Sequence, residues 1–161
     1  MAQPLQPVDH NALRVNQAVI VLLSTLAFVV NWPGLVLAVA ACMLLGSLVG
    51  KPGFGFIYAL LRYAGLLKPH VLPDHPQPHR FAQGFGGTVL LVAGLLLLYQ
   101  SPVAGWSLTW MVIALAAINL FSGFCAGCFI YFWLGRLGVP GFRKLSPAGP
   151  FPGLRPTGGE G

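Results

Sequence analysis

Cys125 and Cys128 form a Cys-x-x-Cys within "GFCAGCFIYFWLGR", residues 123 to 136. They are two of only three cysteines in the chain. Thiols at i and i+3 of a helix share one face, within reach of a disulfide or of a single metal ion. Three chemistries compete for that spacing: a redox or sulfur-carrying dithiol, a metal clamp, and packing by two small, fairly apolar side chains. No βαβ pattern of the soluble thioredoxin kind surrounds the pair, and no acid–base partner adjoins it in the chain. Cys42 stands alone inside an apolar run and reads as a packing residue.

"KPHVLPDHPQPHRFAQ" at 68 to 83 holds His70, Asp74, His75 and His79. Such residues are candidate zinc or copper ligands. The stretch lacks helical i, i+4 ligand spacing, however, and Pro73, Pro76 and Pro78 fit a stiff extended connector. Arg-x-x-Gln occurs twice, as Arg14 with Gln17 and as Arg80 with Gln83. An arginine at a helix mouth anchors that end among headgroups. The functional alternative is a pair of guanidiniums that attracts an anion or holds a thiolate. Asn16 and Asn119 are expected to hydrogen-bond between helices, and Gly46 with Gly50 to form a small-xxx-small contact. With three acidic residues in all, paired-carboxylate chemistry and a Ser-His-Asp triad are poorly supplied. No phosphate-binding glycine signature is present, and no cofactor is implied.

The elements that must position these groups follow from composition. The 161 residues are 56% hydrophobic and 7% charged, against roughly 25% charged in soluble domains. A chain this short cannot hide so much apolar surface from water, so its solvent is a bilayer. Nucleic acid is not the expected partner of the +6 charge; the basic residues mark membrane sidedness instead. Residues 1 to 16 show no apolar core of a cleavable signal. Four spans are expected: about Val15 to Trp32, Leu35 to Val49, Phe81 to Tyr99, and one from Trp106. Tight turns at "NWPG" and "SPVAG" carry no Lys or Arg. All nine basic residues lie on the other side, which predicts cytoplasmic termini and central loop in an inner (plasma) membrane.

The last apolar run, Trp106 to Val139, would make a single helix about 50 Å long, too long for one crossing. A break is therefore expected near Gly123 to Cys125, at the cytoplasmic boundary. Internal repetition supports it. "RVNQ" at 14 to 17 recurs as "RFAQ" at 80 to 83, and "FIYALLRYAGL" at 56 to 66 as "FIYFWLGRLGV" at 129 to 139. The chain thus reads as an all-α membrane protein. Its four transmembrane helices form two parallel helical-hairpin repeats, each followed by a short aromatic interfacial or re-entrant helix. Cys125 aligns with Pro52 and Cys128 with Gly55. Proline favours the first turn of a helix, so helices are expected to start near 52 and near 125. A helix start favours a thiolate at Cys125, the expected attacking sulfur, with Cys128 resolving.

"VDHNALRVNQA", "PQPHRFAQGFG" and "GFCAGCFIYFWLGR" together resemble the bacterial membrane family called Domain of Unknown Function 4395, over roughly residues 8 to 141. The resemblance implies a small four-span membrane protein with a paired-cysteine segment; proteins of this kind can be encoded near thioredoxin-like or sulfur-transfer proteins, which makes a cytoplasmic protein of that type the candidate partner. The expected division is a cytoplasmic segment at 1–13 and a membrane domain at 14–141. Within it lie repeat 1 at 14–67, a Pro/His-rich linker at 68–79 and repeat 2 at 80–139. A disordered cytoplasmic tail is expected at 142–161, from its Pro and Gly content. Two functions compete: a membrane-embedded thiol protein, working by thiol–disulfide exchange or sulfur handling at the cytoplasmic face, and a non-enzymatic small permease or helper subunit with structural cysteines. As a transporter, four short spans would require a homo-oligomer.

Overall fold

Residues 5–156 are described by a computed structural model. Among them are six helices and one two-stranded ribbon: β1 (Gln6–Asp9), α1 (His10–Val29), α2 (Pro33–Val49), α3 (Gly55–Tyr63), β2 (Val71–Asp74), α4 (Pro76–Leu98), α5 (Pro102–Ser122) and α6 (Ala126–Arg136). Helices α1, α4 and α5 are long and apolar enough to cross a membrane. Helix α2 is apolar but shorter, at 17 residues. Leu22, Leu48, Val103 and Phe121 are exposed, whereas Asn16, Ser24 and Thr109 are buried. Large apolar side chains outside and small polar ones inside fit a lipid-facing surface.

Two glycines set the ends of α2 and α5. Gly50 and Gly123 occupy the C-cap positions with φ of +80° and +71°, a left-handed conformation that costs glycine little. Gly50 is therefore a cap and not half of a small-xxx-small contact. Gly46 does make a close approach: a Cβ there would lie 2.5 Å from the Gly53 Cα. The break expected between α5 and α6 is present, with Cys125 as the N-cap of α6.

Four helix starts differ from the sequence expectation: α1 begins at His10 and not near Val15, α5 at Pro102 and not at Trp106, and α3 and α4 are displaced as well. Helix α3 starts at Gly55 and not at Pro52. Residues 52–54 form a turn held by side chains from other helices: Phe54 N donates to Asn16 Oδ1 at 2.9 Å, and Gly53 N to Gln83 Oε1 at 3.3 Å. Helix α4 starts at Pro76, well before Phe81. Pro76 and Pro78 fit its first turn, where no backbone N–H is needed. The expected connector at 68–79 is thus partly β2 and partly helix.

The ribbon was not anticipated from the sequence. β1 and β2 pair antiparallel with Gln6 opposite Asp74 and Asp9 opposite Val71, which draws the starts of α1 and α4 together. Helix α2 packs on α4, α5 on α1, α3 on α1 and α6 on α4; α1 also packs on α2, and α4 on α5. The core between them includes Ile20, Val36, Val39, Met43, Leu90 and Val112.

The segment following α6 also departs from expectation. Residues 143–156 run back across the α5–α6 break; residues 157–161 of the expected tail, Glu160 included, lie outside the described region. Cys125 N donates to Gly153 O at 2.8 Å, and Arg155 N donates to Gly123 O at 3.1 Å. Phe151 stacks on Phe129 with ring centroids 5.9 Å apart. A helix break exposes backbone donors and acceptors, and an extended segment satisfies them.

Candidate functional site

The site grows from the start of α6. Cys125 and Cys128 are joined in a disulfide. Cys128 N donates to Cys125 Sγ at 3.2 Å, so the sulfur of Cys125 caps the helix. When the pair is reduced, that amide and the positive end of the helix dipole favour charge on Cys125.

Helix α6 docks on α4 through Gly127, where a Cβ would lie 2.5 Å from the Cβ of Ala82. The close approach carries Cys128 to the first turn of α4. There Cys128 Sγ lies 3.5 Å from His79 Nδ1. His79 Nε2 lies 2.9 Å from Asp74 Oδ2. His10 Nε2 approaches the same oxygen at 3.2 Å, close enough for an ion pair but not aligned as a hydrogen bond. The other carboxylate oxygen, Oδ1, accepts the His75 N–H at 2.7 Å. A disulfide sulfur, an imidazole, a carboxylate and a second imidazole therefore adjoin one another in turn.

Burial alone would raise the Asp74 carboxyl. His10, His79 and the His75 amide outweigh it and hold the group well below the usual carboxylate range. Asp74 is then ionised at every pH at which a thiol exchanges. Its stabilising contribution is full above the unfolded carboxylate pKa of about 3.9 and is lost as pH falls through the depressed folded value.

Asp9 is the counterpart of Asp74 in the other strand. It caps α1, accepting from Asn11 N at 3.0 Å, and it accepts from His70 N at 3.1 Å. The Tyr58 hydroxyl donates to its other oxygen. Burial opposes ionisation of Asp9, but these hydrogen bonds prevail and lower its pKa.

A cavity of about 60 Å³ adjoins the disulfide and is lined in part by His10, Asp74, His79, Cys125, Cys128 and Arg155. Arg155 comes from the returning tail. Burial and the neighbouring Arg14 lower its pKa while Asp74 opposes them, and a guanidinium remains charged throughout. Both cysteines are nearly closed off, at 5% and 7% exposure, and the tail backbone at Gly153 accepts the Cys125 N–H.

The sequence candidates are regrouped by the fold. Of the four proposed metal ligands, His79 and Asp74 touch each other, while His70 is exposed with its backbone N–H on Asp9. His75 Nε2 is buried without a hydrogen-bond partner among the described residues. The ligand atoms that do converge are those of His79, Cys125 and Cys128, all within 4.8 Å of one another. Reduced, that trio could hold a soft cation through two thiolates and an imidazole.

Arg80 does not serve the thiols. It donates to Ser47 O at 3.1 Å and to Leu48 O at 3.4 Å, closing the end of α2. Gln83 donates to Met43 O at 2.9 Å. Arg14 is exposed, and neither its side chain nor that of Gln17 makes a hydrogen bond among the described residues. Asn16 does bond outward, to Phe54 and, at 3.4 Å, to Gln83; the Asn119 side chain makes no such bond there. Sequence reasoning missed the imidazole beside Cys128 and the placement of His10. One signal was available: Asp-His occurs at 9–10 and again at 74–75, each just ahead of an Arg-x-x-Gln.

A family profile described as "Domain of unknown function (DUF4395)" matches residues 8–136, and the chain belongs to that family. No curated protein and no solved structure matches it.

Proposed function

We propose that this member of the family is a membrane-embedded thiol protein whose Cys125–Cys128 pair exchanges with a soluble dithiol protein of thioredoxin-like or sulfur-transfer type. The observation that carries this reading is the 3.5 Å approach of His79 Nδ1 to Cys128 Sγ, with Asp74 behind the imidazole. A partner thiolate attacks Cys125 Sγ, the S–S bond to Cys128 breaks, and Cys128 leaves as a thiolate that His79 can protonate. In reverse, His79 takes the Cys128 proton and the new thiolate expels the partner from Cys125. Asp74 keeps the imidazole oriented, as a carboxylate does in a nucleophile–histidine–acid array.

The test is a redox titration of the purified protein with a soluble dithiol and its disulfide, read by mass spectrometry of the Cys125–Cys128 peptide. Reversible gain and loss of two hydrogens is expected with the fold intact. A pair that reduces only in denaturant supports the alternative, a helper subunit or small permease with structural cysteines.

The proposal includes the membrane setting. Helices α1, α2, α4 and α5 cross as two parallel hairpin repeats, with α3 and α6 at the cytoplasmic face. The packing of α3 on α1 and of α6 on α4 supports the repeat, as do the matched glycine caps. Helix α2 spans about 25 Å, so its ends draw on neighbouring turn residues. Charge supports N-in, C-in: Lys51, Lys68, Arg80 and the other basic residues avoid the two tight turns. A cysteine placed at exposed Lys68, in a chain whose own three are serine, is expected to resist an impermeant maleimide on intact cells and to label after permeabilisation. Labelling from outside would invert the topology. The N-terminal residue first in line for the same test, Gln3, lies outside the described residues.

A further inference from the structure

A second cavity, of about 110 Å³, begins where the first ends. Cys125 and His79 line both. This one runs inward among α1, α2, α4 and α5, past Ile20, Val89 and Val112. Its outer wall includes Phe85, Met111, Leu115 and Ile130, which are 48%, 42%, 39% and 43% exposed on the apolar surface. The cavity therefore meets the surface where lipid is expected and not at the ribbon end. Gln17 and Asn119 face it, and neither side-chain amide has a hydrogen-bond partner among the described residues.

These features restrict what could enter. A disulfide is a two-electron couple, so re-oxidation of the dithiol in one encounter needs a two-electron acceptor. An acceptor entering through lipid-facing apolar residues must be lipid-soluble. Unpartnered amide donors call for carbonyl oxygens, and a narrow space between helices calls for a flat ring. We propose that this cavity binds the head of a lipid-soluble quinone, which accepts the electrons that Cys125 and Cys128 take from the soluble dithiol. The proposal rests on the thiol-exchange reading and supplies its electron acceptor.

The chemistry balances. The Cys125 thiolate adds to a ring carbon and forms an S–C bond. His79 takes the Cys128 proton, and the Cys128 thiolate attacks Cys125 Sγ. The S–S bond forms, the S–C bond breaks, and its electron pair stays on the ring. The ring takes up two protons, equal in number to those lost by the two thiols. Two thiols are oxidised to one disulfide and one quinone is reduced to its quinol.

The test uses full-length protein in lipid nanodiscs, reduced, freed of reductant and kept anaerobic. The probe is a benzoquinone bearing a short isoprenoid chain. One equivalent of quinone absorbance should bleach per protein as the Cys125–Cys128 disulfide re-forms. Ala116→Phe, which fills the cavity, and Gln17→Leu, which removes an amide donor, should each raise the half-saturating quinone concentration by about ten-fold or more. Exchange with a soluble disulfide should be unchanged in both, and thermal unfolding identifies a variant that fails to fold. Absence of bleaching while soluble exchange proceeds overturns the quinone assignment and leaves the thiol reading standing. Absence of both overturns the thiol reading and this inference with it. Unchanged half-saturation in folded Gln17→Leu places the quinone elsewhere and also overturns it.

Discussion

Cys125→Ser is expected to abolish exchange altogether, and Cys128→Ser to halt it one step later with the partner still attached. The asymmetry follows from where each sulfur sits. Cys125 caps α6 and receives the Cys128 N–H, so a charge on its sulfur is stabilised by an amide and by the helix dipole. A serine oxygen at the same place keeps its proton at neutral pH and offers no sulfur to attack. Cys128 lies within α6 and faces His79, which suits the thiol that must lose a proton only when it resolves a mixed disulfide. Mixing each reduced variant with a small aromatic disulfide and weighing the products checks this. Cys128→Ser should accumulate a stable adduct on Cys125. An adduct on Cys128 in the Cys125→Ser protein, formed at the wild-type rate, would reverse the assignment of attacking and resolving thiols.

His79→Asn should slow resolution by about 10²-fold or more, the usual scale for loss of a positioned general base. Formation of the mixed disulfide should change far less, because the His79 imidazole lies 3.5 Å from Cys128 Sγ and makes no hydrogen bond to Cys125 among the described residues. The adduct on Cys125 should therefore accumulate transiently in the variant. Raising pH towards the free-thiol range near ~8.5 should restore the rate, since hydroxide then supplies the Cys128 thiolate directly. Asp74→Asn should cost less in rate, because the imidazole keeps its contact with sulfur. It should lower stability by about 1–3 kcal/mol, since buried His10 and half-buried His79 lose the carboxylate charge they share. Stopped-flow measurement of the two phases across pH separates these roles. A uniform slowing of both phases in His79→Asn, with no rescue at high pH, would make His79 a packing residue.

Much of the architecture is written in local chemistry. Transfer of apolar side chains into lipid is close to a sum over residues, so composition alone dictated a membrane-type helical protein with long apolar spans. The excessive length of the run from Trp106 dictated a break near Cys125, and Gly123 supplies the left-handed residue that makes it. The prolines at 76 and 78 misled, because proline disrupts a helix interior but fits its first turn; the start of α4 depends on that distinction. The tail misled for a related reason. Pro- and Gly-rich composition signals a segment that cannot build a core of its own, but Gly153 and Arg155 need only the open amide and carbonyl of the α5–α6 break. The imidazole beside Cys128 was the largest omission. His79 stood in the sequence as a metal-loop histidine, 49 residues from Cys128. Only the antiparallel β1–β2 register and the close seating of Gly127 on Ala82 bring that imidazole to the sulfur. Hydropathy and helix punctuation are properties of neighbours along the chain and are legible without the fold. Which imidazole meets which sulfur depends on how separate helices pack, a sum of many weak contacts between residues far apart in the chain that no local pattern encodes.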